Sequence, residues 1–478
     1  MVRLAKRIGL IEVSSVREFS AQIRRLAMVW LGAFALLALA AGYWQVVAAP
    51  ALEANPNNTR AEERLSLTQP GNVYASDGTL IMGAEKVAES WEPTYPDPAV
   101  FCHLTGYNAR SGLQAGLREA LLGLGKYANG WQALIQGRLR GDDVYLTINA
   151  AAQQAATEAM TGRRGAVVAL DPRDGAIRVL VSAPGYNPEA LRNPDAYEVF
   201  RTDPFSPELD RALQGLYTPG SALKVMTAAI GLQAGAARPD TIFSCQGEEI
   251  LAGTRVVCVE TKGHGKITLT EALAKSCNIA FAKLGLMIGA ERYRQGVKAF
   301  HLLDAANLPL PSKHGGMADL TGPKGKALLA HTAYGQGETV VTPLAMARMV
   351  ATIADGGEVI QPYLVGQVRN AKGQVLETGQ GRDLGRACSR QTARVVAGMM
   401  VQAVENGTAG AMAIRGVKVA AKTGTAQKGQ GKPDVWMLAF APAEKPTVAV
   451  AVVVEGGVSG AETAGPVARE VLRALLGG

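Results

Sequence analysis

From Leu26 to Ala49 the chain carries no formally charged side chain, and Gln45 is the most polar residue in the stretch. A helix rises about 1.5 Å per residue, so this run is long enough to cross a bilayer. Trp30, Tyr43 and Trp44 lie towards its ends, where aromatic rings anchor at the membrane interface. The tail ahead of it, residues 1–25, holds Arg3, Lys6, Arg7, Arg17, Arg24 and Arg25 against Glu12 and Glu18, six minus two or +4. A basic flank before the span predicts a cytoplasmic N-terminus and export of the rest. A cleaved signal peptide is the alternative, since Val46-Val47-Ala48-Ala49 offers small residues near the end of the run.

That tail carries half of the net charge of +8, and the remainder is spread too thinly to make a nucleic-acid surface. At 478 residues there is room for more than one domain, and 48% apolar with 19% charged residues fits a packed chain with a membrane element. Residues 50–142 read as a first extracytoplasmic region, with strand-like pieces such as Gly71 to Ala75, a turn at Asp77-Gly78 and a helical stretch near Ser111 to Leu124. No acid, base or metal constellation stands out there. Asp143 to Asn149 opens a second region, 143–478. In it Ala166 to Leu170 and Ala176 to Val181 flank a turn signal, and Val417 to Lys422 and Thr447 to Val454 are further strand-like runs. A last helix is expected from Pro466 to Leu476. Strands at both ends with helices between them predict an α+β fold, helices packed on an antiparallel sheet.

Within the helical part, Tyr217-Thr218-Pro219-Gly220-Ser221-Ala222-Leu223-Lys224 sets a serine and a lysine three apart, on one face of a helix that Pro219 and Gly220 introduce. A hydroxyl beside an amine able to take its proton is an activated nucleophile, and a helix start favours developing negative charge. Ser-x-x-Lys alone arises readily by chance. Ser276-Cys277-Asn278 follows it, at the end of a helix that Thr268-Leu269-Thr270-Glu271 opens as a capping box, and Lys422-Thr423-Gly424-Thr425 follows that.

The three together, in this order, resemble the serine penicillin-recognising enzymes. Asp210-Arg211-Ala212, Tyr334-Gly335-Gln336-Gly337, Thr342-Pro343-Leu344 and the segment Asp434 to Pro442 are similar to landmarks of the transpeptidase domain. Asn55 to Arg60, Tyr95-Pro96 and Leu104 to Tyr107 resemble the non-catalytic domain of class B penicillin-binding proteins. The resemblance implies a tail (1–25), a membrane helix (26–49), a non-catalytic pedestal (50–142) and a transpeptidase domain (143–478). It implies Ser221 as nucleophile, Lys224 as base and Ser276 as proton carrier. Asn278, Lys422, Thr423, Gly424 and Thr425 then hold the substrate, with Lys422 also placed to lower the pKa of Lys224, and the N–H groups of Ser221 and Thr425 form the oxyanion hole. For the Tyr334 to Gly337 loop no step needs the side chains.

The implied activity is D,D-transpeptidation of peptidoglycan stem peptides through a serine acyl-enzyme, with β-lactams as covalent inhibitors and no cofactor. The helix offers a polytopic membrane glycosyltransferase a place to bind. A D,D-carboxypeptidase is the alternative, and a β-lactam sensor or non-catalytic scaffold a remoter one. No Glu-x-x-Leu-Asn element follows the second motif, as a class A β-lactamase would need, and residues 50–142 are too few for a glycosyltransferase. No wall-binding domain is expected after the last helix.

Five cysteines cannot all pair internally, and no cysteine or histidine spacing reads as a metal site. Cys245 and Cys258 flank a potential hairpin around Ala252-Gly253-Thr254 and are the best disulfide candidates, two reduced thiols being the other reading. Cys277 reads as packing.

Overall fold

The strands of the central sheet are near-continuous apolar runs because both faces are covered. In spatial order they are Ala420–Ala426, Asp434–Ala441, Val448–Val454, Gly165–Leu170 and Ile177–Ala183, all antiparallel. Side chains alternate between two cores, as the pleat requires. Ala449, Ala451 and Val453 join one with the helices Lys224–Gln233 and Pro343–Ala354, while Val448, Val450 and Val452 join the other with Ala150–Ala159 and Gly465–Leu476. This is the α+β layering expected from the sequence. The strand predicted from Val417 begins at Ala420, after an isolated bridge between Ile414 and Val417.

The computed structural model describes residues 2–49, 52, 68–88, 90–124, 140–427 and 431–477, so the Asn55 to Arg60 segment lies outside the described residues. Two compact units emerge, 1–64 and 65–478. The first is the helix Val2–Gly42, continued as a wider turn over Tyr43–Val47; its stretch Phe19–Val47 has a mean hydropathy of 2.0 and none of it is buried.

In the second unit a six-stranded sheet runs Val375–Thr378, Val365–Arg369, Asp143–Leu146, Val73–Tyr74, Leu80–Val87, Ser90–Thr94. Val73–Tyr74 pairs parallel with Asp143–Leu146, which pairs on its other side with Val365–Arg369. Strands from both sides of 142/143 thus share one sheet. The boundary drawn from the sequence falls inside a sheet, because a strand from beyond residue 360 returns to complete it. The helical stretch near Ser111 to Leu124 is two short helices, Gly112–Gly116 and Arg118–Leu121.

Candidate active site

Asp210 caps the helix Arg211–Gln214 by accepting from Leu213 N, and Arg211 donates to Glu455 at 2.8 Å, tying the approach to the nucleophile to the end of a central strand. A tight turn, Gly220–Leu223, then leads into Lys224–Gln233. Gly220 has φ +55, and a Cβ there would lie 2.5 Å from the Thr425 carbonyl. Gly335 crosses above it so closely that a Cβ would sit 1.7 Å from the Gly220 oxygen. Three backbones are thus stacked at Ser221, and only glycine permits it.

Lys224 is fully buried beneath this turn. Its Nζ lies 3.0 Å from Ser221 Oγ, 2.6 Å from the Ser276 carbonyl, 2.7 Å from Asn278 Oδ1 and 3.2 Å from Ser276 Oγ. Burial pushes its pKa down to about 7, opposed by Cys277 and Cys258 nearby.

The second motif is delivered by the capping box foreseen at Thr268 and Glu271, which starts the helix Leu269–Ala274. Ser276 then takes a left-handed φ of 61, turning the chain into the helix Asn278–Ile288. A serine so placed is strained, of order 1–3 kcal/mol, and the surrounding bonds fix it. Asn278 Nδ2 donates to the Val257 carbonyl at 2.8 Å.

The third motif lies on the edge strand of the central sheet. Lys422 Nζ, also fully buried, is 2.9 Å from Ser276 Oγ and 2.9 Å from the Thr423 carbonyl. Burial first, and Lys224 second, push its pKa well below the usual lysine value. Burial is the first cause at both lysines, and the repulsion between them, expected from the motifs, adds to it. Thr423 Oγ1 meets Thr408 Oγ1 at 2.7 Å. At Gly424 a Cβ would meet Trp436 Cβ at 2.9 Å and Ala222 Cβ at 3.0 Å, so the glycine seats the strand against the nucleophile turn as well as leaving its edge open.

Ser221, Lys224, Ser276, Asn278 and Lys422 therefore form one hydrogen-bonded group, with Thr423, Gly424 and Thr425 along the adjoining strand. Sequence reasoning missed Gln336, whose Nε2 donates to the Thr425 carbonyl at 3.2 Å; Trp436, within the landmark segment from Asp434, donates through Nε1 to the Thr218 carbonyl at 3.0 Å. Their partners are backbone atoms far along the chain, which no motif records.

Of the two readings of Cys245 and Cys258, the structure has the reduced pair and not the disulfide. Cys245 and Cys258 are free thiols, as are Cys102, Cys277 and Cys388. Both instead face His264 and, with it, Cys277, four donor atoms within 4.8 Å of one another. The hairpin was foreseen, as Glu248–Leu251 and Thr254–Val257 around Ala252-Gly253. Its far end folds against the second motif, and Cys277, fully buried in the core, lies beside Cys258 in a cluster that the spacing did not indicate.

Residues 165–476 match the family described as the penicillin-binding protein transpeptidase domain. The peptidoglycan D,D-transpeptidase PbpA of Mycobacterium tuberculosis is 35% identical over 96% of this chain and 99% of its own length, and that of Mycolicibacterium smegmatis 35% over 95% and 98%. The ceftriaxone acyl-enzyme complex of penicillin-binding protein A from M. tuberculosis superposes with a TM-score of 0.81, at 33% identity, covering 87% of this chain and 100% of that one. A D,D-transpeptidase domain from Eggerthella lenta gives 0.78 at 33% identity, covering 86% and 99%. The chain belongs to the penicillin-binding transpeptidase family, in its class B branch.

Proposed function

We propose that this protein is a peptidoglycan D,D-transpeptidase that works through an acyl-enzyme on Ser221 and is acylated there by β-lactams. The observation that carries the roles is the set of partners around Lys224. A neutral amine has two N–H groups and one lone pair. The Ser276 carbonyl and Asn278 Oδ1 can only accept, at 2.6 and 2.7 Å, and they occupy both N–H groups. The lone pair is left for the Ser221 hydroxyl at 3.0 Å. A pKa of about 7 keeps about half of the molecules in that form at neutral pH.

Lys224 takes the Ser221 proton as Oγ attacks the carbonyl of the penultimate D-Ala of a stem peptide. The N–H groups of Ser221 and Thr425 receive the oxyanion, and each such donor is worth about 10²–10³ in rate. Ser276, bonded to both lysines, returns a proton to the departing D-Ala nitrogen. An amine on a second stem peptide then attacks the ester. Lys422, Thr423 and Thr425 attract the substrate carboxylate, and Asn278 holds its amide. Residues 50–142 act as a pedestal, and the N-terminal helix anchors the chain with its basic tail in the cytoplasm and residues 143–478 outside. That helix is also where a polytopic glycosyltransferase docks.

The test is acylation by labelled penicillin in wild type and Ser221→Ala, with D-Ala release and cross-linking followed in parallel. The reading requires label in the wild type alone and cross-linked product with released D-Ala. Label persisting in Ser221→Ala sinks the assignment. Release with water as sole acceptor makes the protein a carboxypeptidase, and labelling without turnover makes it a sensor.

A further inference from the structure

Between Ser276 and Asn278 stands a residue that no step above uses. Cys277 Sγ accepts from Ala280 N at 3.4 Å and lies 3.8 Å from Cys258 Sγ. Cys258 Sγ is 3.5 Å from His264 Nδ1, and Cys245 Sγ is 3.6 Å from the same nitrogen. The three cysteines are buried and His264 is half-buried. They come from four places: the end of the strand Ile242–Cys245, the residue after Thr254–Val257, the residue before Gly265–Thr268, and the start of the helix Asn278–Ile288.

In a tetrahedral site with Zn–S of about 2.3 Å and Zn–N of about 2.0 Å, the S···S edge is about 3.8 Å and the S···N edge about 3.5 Å. The three separations match these edges. Thiols are weak hydrogen-bonding groups, so converging three of them on one imidazole has little to recommend it without an ion. We propose that Cys245, Cys258 and Cys277, through Sγ, and His264, through Nδ1, bind one zinc-class divalent cation. Three S–H protons leave to solvent as three metal–sulfur bonds form, and His264 binds as the neutral imidazole, so the loaded site has a net charge of −1. Soft sulfur donors exclude magnesium and calcium. Four protein ligands leave no open position, which makes the site structural.

The ion fixes the second motif. Cys277 is held from below, while Asn278 bonds the carbonyl of Val257, the neighbour of Cys258. The metal therefore ties the hairpin and the strand pair Ile242–Cys245 with Gly265–Thr268 to the two residues that face Lys224. This positioning role rests on the functions proposed for Ser276 and Asn278; the metal site does not.

The full chain, purified in detergent with neither chelator nor added metal, is assayed for zinc, then stripped and titrated with cobalt(II). We expect about one zinc per chain and the intense visible bands of tetrahedral cobalt–thiolate, which zinc abolishes. Cys245→Ser and His264→Ala, both outside the three motifs, weaken zinc binding by more than the roughly 10–100-fold that outer-shell changes cost. Stripped wild type takes labelled penicillin at least about tenfold more slowly, and zinc restores the rate. A chain without zinc whose cobalt complex lacks thiolate bands overturns the site. So does peptide mapping that finds two of these cysteines joined as a disulfide in active protein. Stoichiometric zinc whose removal leaves acylation unchanged overturns the positioning role. A chain that binds zinc but takes no label refutes the transpeptidase reading and leaves the metal site standing.

Discussion

Two buried clusters share the segment Ser276 to Asn278, and they are built from opposite materials. The lysine cluster surrounds two amines with oxygen: carbonyls of Ser276 and Thr423, the Asn278 amide and the hydroxyls of Ser221 and Ser276. Every bond there is an ordinary hydrogen bond at 2.6 to 3.2 Å, and burial lowers the pKa of both amines. The cysteine cluster offers sulfur and one imidazole at 3.5 to 3.8 Å, beyond any strong hydrogen bond. One group is complete as it stands and poised to exchange protons. The other gains by holding an ion still. The contrast separates chemistry from scaffolding within a few residues of chain.

If that separation holds, substitutions in the oxygen-lined cluster act on rate and those around it on stability. The largest effect is expected for Ser221→Ala, which should lose labelling by at least about 10⁴-fold, as for other nucleophile deletions, with an unchanged melting temperature. Lys224→Met keeps the stem and removes the base, so acylation should fall about 10²–10⁴-fold while thermal unfolding comes no earlier. A variant that instead fails to fold would break the comparison.

The wild-type acylation rate should rise about tenfold per pH unit on the acid side and level off above about 7, where Lys224 is neutral. The same shift has a stability sign. The folded pKa of about 7 lies below the ordinary 10.5, so the unfolded chain holds more protons between them. This lysine's penalty is full below about pH 7 and fades as pH rises towards 10.5, which chemical denaturation across that range would read.

Gly424→Ala should touch both sides of the comparison. Its Cβ presses on Ala222 and Trp436, costing about 1–3 kcal/mol in denaturant melts and slowing acylation by displacing the nucleophile turn. The smallest effect is expected for Thr268→Ala, which removes the capping box ahead of the second motif. It should cost about 1 kcal/mol and leave the acylation rate within about twofold.

The site was legible where its geometry is local or its motif is short. Ser221 and Lys224 are neighbours by helical spacing, and the capping box at Thr268 announces the helix that delivers Ser276. The apolar runs Gly165–Leu170 and Val448–Val454 in the middle of the central sheet were equally plain, because burial on both faces leaves them no polar side chain. Non-local pairings were not. Val365–Arg369 completes the sheet begun by Val73–Tyr74, so no compositional change marks a boundary near residue 142. Gln336 finds a carbonyl 89 positions away. The cysteines and His264 meet only because a hairpin and a strand pair fold back on a helix start, and their spacing repeats no known ligand pattern.

Asn278 has both ends of its amide spoken for. Lys224 Nζ donates to its Oδ1, and Nδ2 of the amide donates to the Val257 carbonyl, which can only accept, so turning the amide over would set two acceptor oxygens against each other. Its orientation is thereby locked before any ligand arrives, and a single N–H is left to offer. If Asn278 holds the donor amide as proposed, the group that fits there is an oxygen with lone pairs rather than a methylene.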